Sequence, residues 1–254
     1  MDRLAFNAMA AVNEDRLIRQ QLSNDIANVS TVGFKKTYEA TLQPNLAVGE
    51  GFDSRLQPRL YTSDVVQLEP GPLMVTGRDL DVSLNDKTVL GVTAPNGDLA
   101  FTRRGDLRVN SSGVLETGTG NIVRGQDGGP ITVPQGFRLT FSSDGNLYAV
   151  DPNQQGAPVQ QLVGQLLLRD ASNTPLIKRP DTLYMVDGKP AGSDIANPQG
   201  VVSLTPQALE GSSVNPMTAM VKLIDQSRAF EHQIRIIKET KSTDEAGASM
   251  MKIS

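Results

Sequence analysis

The only two long helical patterns in the chain lie at its opposite ends, at residues 3–28 and 216–241. Everything between them reads as short apolar runs broken by turn residues. Helices alternating with strands would build a parallel α/β sheet, whereas helices kept apart from a run of strands build an α+β protein. The expected fold is therefore α+β: terminal helices, N and C, forming a coiled-coil-like helical layer, with a central all-β domain.

In the first pattern, Leu4, Ala8, Ala11, Ile18 and Leu22 recur at three- and four-residue steps. Ile26 continues that face, and Asp15 is its one polar intruder. Such spacing is the stripe of an amphipathic or coiled-coil helix. Past Ala27, Asn28 and the pair Ser30-Thr31 end the helix, because short polar side chains compete for backbone hydrogen bonds. Gly33, just before Phe34, then permits a backbone angle that other residues resist. The few apolar side chains of this helix cannot offset the entropy of ordering its backbone. It is expected to order only against neighbouring subunits.

The second pattern has a marked start. Asn215 suits an N-cap and Pro216 the first helical position. Met220, Leu223, Ser227, Phe230, Ile234, Ile237 and Lys241 follow in alternating steps of three and four. That is a heptad pattern. Asp15 and Ser227, polar residues inside the two stripes, are candidates for fixing register.

Between the helices, residues 37–75 read as an irregular linker, with Pro44, Gly49, Gly51, Pro58, Pro70, Gly71 and Pro72. Strands are predicted from residue 79 onward. The runs 89–93 and 99–103 flank Pro95-Asn96-Gly97, a hairpin signal. Further runs lie at 131–133, 137–141, 147–150, 162–168 and 183–186. The chain thus divides into an N-terminal helix and turn (1–36), a linker (37–75), a β-domain (76–205), and a C-terminal helix with its tail (206–254).

Charge follows the same division. Residues 1–36 carry five basic and four acidic side chains, and residues 216–241 five and three, so the formal total of −4 assigns the acidity to the remainder. A balance this mild argues against nucleic acid or an anionic membrane as partner. No segment approaches the roughly 18 apolar residues of a membrane span. The first residues, with Asp2-Arg3 and charges at 14–16, do not read as a cleaved signal peptide.

The chemistry search is mostly negative. The chain has no cysteine, and its one histidine, His232, falls inside the C-terminal helical pattern. Thiol chemistry and multi-histidine zinc sites are therefore excluded. No third glycine completes a dinucleotide loop around Gly49 or Gly118, and no phosphate-binding Gly-Lys-Ser/Thr occurs. Asp79 and Asp81 alternate on a predicted strand and could share a face as a glycosidase pair does, which leaves a β-rich carbohydrate-active enzyme, or a binding module, as the competing class. Arg103-Arg104 and Lys178-Arg179 are basic pairs without interleaved aromatics. Catalytic, metal and cofactor residues are expected to be none.

Several motifs converge on one family. The segment Ser23-Asn24-Asp25-Ile26-Ala27-Asn28-Val29-Ser30-Thr31-Val32-Gly33-Phe34-Lys35 resembles the N-terminal signature of the flagellar basal-body rod and hook proteins. Asp25 stands where members often carry an uncharged residue. Thr76-Gly77-Arg78-Asp79-Leu80-Asp81-Val82 and Phe101-Thr102-Arg103-Arg104-Gly105 resemble strand motifs of that family. Leu209-Glu210-Gly211-Ser212-Ser213-Val214-Asn215 and Arg228-Ala229-Phe230-Glu231 are similar to its lead-in to the C-terminal helix and to a step within it. The resemblance implies a structural subunit of the basal-body rod, not an enzyme. It implies export by the flagellar type III apparatus, and assembly with copies of itself and other rod subunits through the two helical stripes.

Overall fold

The computed structural model describes residues 2–37, 41–46, 56–61, 64–134, 136–152, 159–195 and 201–251. The architecture is α+β, and the chain forms two compact units, one from residues 1–27, 39–63 and 215–254, the other from residues 28–38 and 64–214.

The first unit holds both helices. Helix α1 runs Asp2–Ala27. Strands β1 (Thr41–Leu46) and β2 (Leu56–Tyr61) pair antiparallel, with Pro44 opposite Pro58. Residues 37–75 are thus not simply an irregular linker. Prolines argue against a central strand, but in a two-stranded ribbon both strands are edges and tolerate them. The closing helix, which we number α2 ahead of the strands between, runs Pro216–Met251. It passes the predicted end at residue 241 by ten residues, among them the helix formers Glu245, Ala246, Ala248, Met250 and Met251, and Lys241 pairs with Glu245 one turn on.

The second unit is antiparallel β throughout its described pairings. Its largest sheet is ordered β14-β15-β6-β5-β9-β8-β7, with β13 also on β5. Those strands are β5 (Thr88–Thr93), β6 (Leu99–Thr102), β7 (Leu107–Val109), β8 (Leu115–Thr117), β9 (Ile122–Val123), β13 (Leu168–Asp170), β14 (Leu176–Lys178) and β15 (Tyr184–Val186). Strands β10 (Arg138–Phe141), β11 (Asn146–Val150) and β12 (Gln160–Gln165) form a second sheet. Two ribbons remain: β3 (Leu73–Val75) with β17 (Ala208–Glu210), and β4 (Val82–Leu84) with β16 (Leu204–Pro206). The hairpin β5–β6 forms as its turn signal predicts. Residues 131–133 make only an isolated bridge, from Thr132 to Val114.

Strand β5 is the centre of this unit. It is buried on both faces, which is why its run Thr-Val-Leu-Gly-Val-Thr does not alternate. Leu90 and Val92 face one core, with Leu107, Leu115, Leu147 and Leu166. Val89 faces a second, with Phe101, Leu176, Tyr184 and Val186.

Candidate functional site

The helical unit comes first. On α1, Ala11, Ile18, Leu22 and Ile26 are half-buried. The side chains of Leu4 and Ala8 lie outside the described residues. On α2, Leu223, Phe230, Ile234 and Ile237 are half-buried, whereas Met220 is 52 % exposed. The covered stripe of α2 takes Ala219, Gln226, Gln233 and Thr240 beside Leu223, Phe230 and Ile237, so it is rotated slightly from the one read by apolarity alone. Of the polar residues there, Thr240 donates to the Ile236 carbonyl at 2.8 Å, and Gln233 Oε1 has no hydrogen-bond partner. Gln226 Nε2 donates to Asp15 Oδ1 at 2.6 Å. The Arg19 guanidinium lies 4.7 Å from the centre of the Phe230 ring, a cation–π contact. Asp15 is buried, and its Oδ2 has no hydrogen-bond partner. Helix α1 therefore finds a partner in α2 of its own chain, where the sequence led us to expect only neighbouring subunits. The opening turn of α2 is capped as predicted: Met217 and Thr218 N–H donate to Asn215 Oδ1 at 3.0 and 3.2 Å.

The signature turn belongs to the β unit. Ala27 is the last residue of α1 and is exposed. The Thr31 hydroxyl donates to Asn28 Oδ1 at 3.1 Å, and the Thr31 N–H to the Asn28 carbonyl at 3.2 Å. Gly33 adopts a φ of +66°. A Cβ there would stand 2.4 Å from the Arg103 carbonyl oxygen, so both backbone angle and space require glycine. Phe34 is half-buried, with Lys178 Nζ 4.7 Å from its ring centre.

Next to this turn lies a buried ionic hub that the sequence reading missed. Glu210, 3 % exposed, accepts from Arg103 Nε and Nη2 at 2.8 Å each, a bidentate pair. The same carboxylate accepts from Lys35 Nζ at 2.7 Å and from the Gly71 N–H at 2.9 Å. Lys35 Nζ also donates to the Glu69 carbonyl. Arg103, fully buried, spends its remaining donors on the carbonyls of Asp86 and Thr88 at 2.7 Å and Leu84 at 2.8 Å. Burial alone would push the Glu210 carboxyl up, but Arg103 and Lys35 outweigh it and hold the group below its ordinary value. Burial lowers the Lys35 ammonium, and Glu210 only partly opposes the shift. Burial also raises the Tyr184 phenol beside the hub.

Three quoted motifs supply this hub: the signature turn gives Lys35, the Phe101–Gly105 run gives Arg103, and the lead-in to α2 gives Glu210. A charged residue in an otherwise apolar strand, such as Glu210 after Ala208-Leu209, is the signal that could have exposed it.

The other candidates are accounted for separately. Asp79 pairs with Arg138 Nε at 2.9 Å and accepts from Gln207 Nε2 at 2.8 Å, and the Arg138 hydrogen bond lowers its carboxyl from the ordinary value. Asp81 is buried, with its Oδ1 3.6 Å from Arg78. The two carboxylates occupy a turn and a bridge rather than alternating on one strand face, so the glycosidase-like pair does not form. Arg104 binds Asp106 at 2.6 and 2.8 Å. His232 is exposed on α2. Among the described residues, no helix is long and apolar enough to cross a membrane.

Comparison with known proteins agrees with this placement of the motifs. Residues 205–250 match the family described as flagellar basal body rod FlgEFG protein C-terminal. Residues 86–149 match the flagellar hook protein FlgE/F/G D1 domain. The flagellar basal-body rod protein FlgF of Salmonella typhimurium is 30% identical over 100% of both chains. FlgF of Escherichia coli is 28% identical over 100% of this chain and 99% of its own. The flagellar basal-body rod protein FlgG of Caulobacter vibrioides is 28% identical over 92% of this chain and 93% of its own. Similarity that runs end to end, with Arg103 and Glu210 inside the two matched regions, leads to one conclusion: the chain belongs to the flagellar basal-body rod protein family, as a structural subunit close to FlgF and not an enzyme.

Proposed function

We propose that the chain is a proximal-rod subunit of the FlgF type, polymerising axially in the shaft that transmits motor torque. Its terminal helices interleave with those of neighbouring copies in a coiled-coil-like layer around the axis. The assembly face comprises Leu4, Ala8, Ala11, Ile18, Leu22 and Ile26 on α1 and Met220, Leu223, Phe230, Ile234 and Ile237 on α2. The partners are copies of itself and other rod subunits, proximal and distal, and the export route is the flagellar type III apparatus into the periplasm-spanning rod.

The observation that carries this reading is the unfinished helical seam. Asp15 buries a carboxylate with one oxygen unpartnered, while Met217, Met220, Val221 and Ile224 line an exposed apolar stripe on α2. A helix pair with spare apolar surface and an incompletely satisfied polar seam is suited to further helices. The Thr76–Val82 motif and the continuation Gln233-Ile234-Arg235-Ile236-Ile237 favour FlgF over the distal-rod type. Imaging basal bodies from a strain that lacks the protein tests the proposal. A rod truncated near its base is expected; a full-length rod with normal swimming would refute it.

A further inference from the structure

Within the β unit, the segment by which the chain comes in and the segment by which it goes out lie side by side. The Gly33 N–H donates to the Glu210 carbonyl at 2.8 Å, and the Ser213 N–H to the Phe34 carbonyl at 3.0 Å. The Lys36 N–H donates to Ser213 Oγ at 3.2 Å. Residues 33–36 and 210–213 are thus tied at three points, and the side chain of Lys35 ends on Glu210 beneath them.

Lys35 is surplus to charge balance. Arg103 already neutralises Glu210 through two parallel bonds, and the Gly71 N–H adds a third donor. Burying a second cation against a satisfied carboxylate is unfavourable unless it achieves something else. The lowered basicity of the Lys35 amine, caused first by its burial, records that penalty. What the ammonium does achieve is a bridge. It joins the inbound segment to β17 through Glu210 and to the stretch ahead of β3 through the Glu69 carbonyl.

We propose that Lys35 is a positioning residue for assembly: it pins the inbound segment to the outbound one, so that the leads to both terminal helices leave the β unit at one fixed spacing. The proposal rests on the rod-subunit reading, because the spacing matters only if both helices must meet neighbours in register. In some proteins buried ionic groups serve a unique arrangement more than net stability, and the proposal assigns Lys35 that role.

The test is Lys35→Met in the full chain, which removes the ammonium and leaves the Arg103–Glu210 pair in place. Hydrogen exchange of the purified protein should show the amides of Gly33, Lys36 and Ser213 exchanging about 10-fold faster or more, with those of β5 and β11 unchanged, as expected for local opening. Supplied to a strain without its own copy, the variant should fail to complete rods. Unchanged protection at those three amides overturns the proposal, as does normal rod completion. If Lys35→Met does not fold, Ser213→Ala decides, since it deletes only the acceptor of the Lys36 N–H. Faster exchange at Lys36 with smaller swimming rings supports the tie, and no change in either sinks it. Should the deletion strain build normal rods, the rod-subunit reading fails, whatever the exchange of the monomer shows.

Discussion

Glu210→Gln isolates the ionic part of the hub. The amide is isosteric, and it can still accept from the Gly71 N–H. The backbone carbonyl of residue 210 still receives the Gly33 N–H. What disappears is the carboxylate that, among the described residues, Lys35 and Arg103 share. Both cations are at most 1 % exposed, so water cannot replace the lost charge. Removing one partner of a buried ion pair costs about 3–5 kcal/mol, because the remaining charge is left uncompensated. At about 2–4 °C per kcal/mol for a domain of this size, the melting temperature should fall by roughly 6–20 °C.

The acid limb gives an independent check by circular dichroism. Glu210 is held below its ordinary value of 4.5 in the folded chain. Its contribution is therefore fully present above pH 4.5 and is lost as pH falls through the depressed folded value. The gap between wild type and variant should shrink over that interval, while other carboxylates act equally on both. A loss under about 1 kcal/mol at neutral pH, or a gap that does not narrow in acid, would refute the reasoning.

Gly33→Val forces a β-branched residue to φ +66° and drives its Cβ against the Arg103 carbonyl. Assembly should be weakened, and normal rods and motility in this mutant would contradict the turn geometry. Leu22→Asp or Ile234→Asp should stop incorporation into rods without moving the main melting transition of the β unit. A drop of several degrees in that transition would mean the helices serve the intrachain core instead. Asn215→Ala removes the acceptor for two amides at the start of α2 and should cost about 1 kcal/mol locally. Exchange at Met217 and Thr218 should rise, and unaltered rates there would show that the cap is unimportant.

Local and periodic features were legible in the sequence. Asn215-Pro216 marked the start of α2, Pro95-Asn96-Gly97 marked the β5–β6 hairpin, and Gly33 marked a positive backbone angle. Each is settled by residues within a few positions of one another. Strands β1 and β2 were hidden because their prolines speak against central strands, and only pairing to each other makes them edges. Strands such as β9, with two residues, are too short to show a period. The covered stripe on α2 lies about one position from the apolar heptad at alternate steps: Ala219, Gln226 and Thr240 are covered in place of Met220, Ser227 and Lys241, and Gln233 is covered beside Ile234. Glu210 stands out as a charge in an apolar strand, but the pairing within the hub was hidden for a different reason. Lys35 and Glu210 are 175 residues apart, and nothing local to either names its partner.

The neighbouring ends of the β unit have an evolutionary consequence. A module whose first and last segments lie together, with only residues 39–63 between them belonging to the other unit, can be lengthened, shortened or exchanged within 64–214 while those segments keep their course, as in tolerated domain insertion. If the terminal helices polymerise as proposed, they can therefore stay constant while the β module takes on new surfaces. One shaft-building pair of tails could in this way serve successive segments of a filament with different diameters and neighbours.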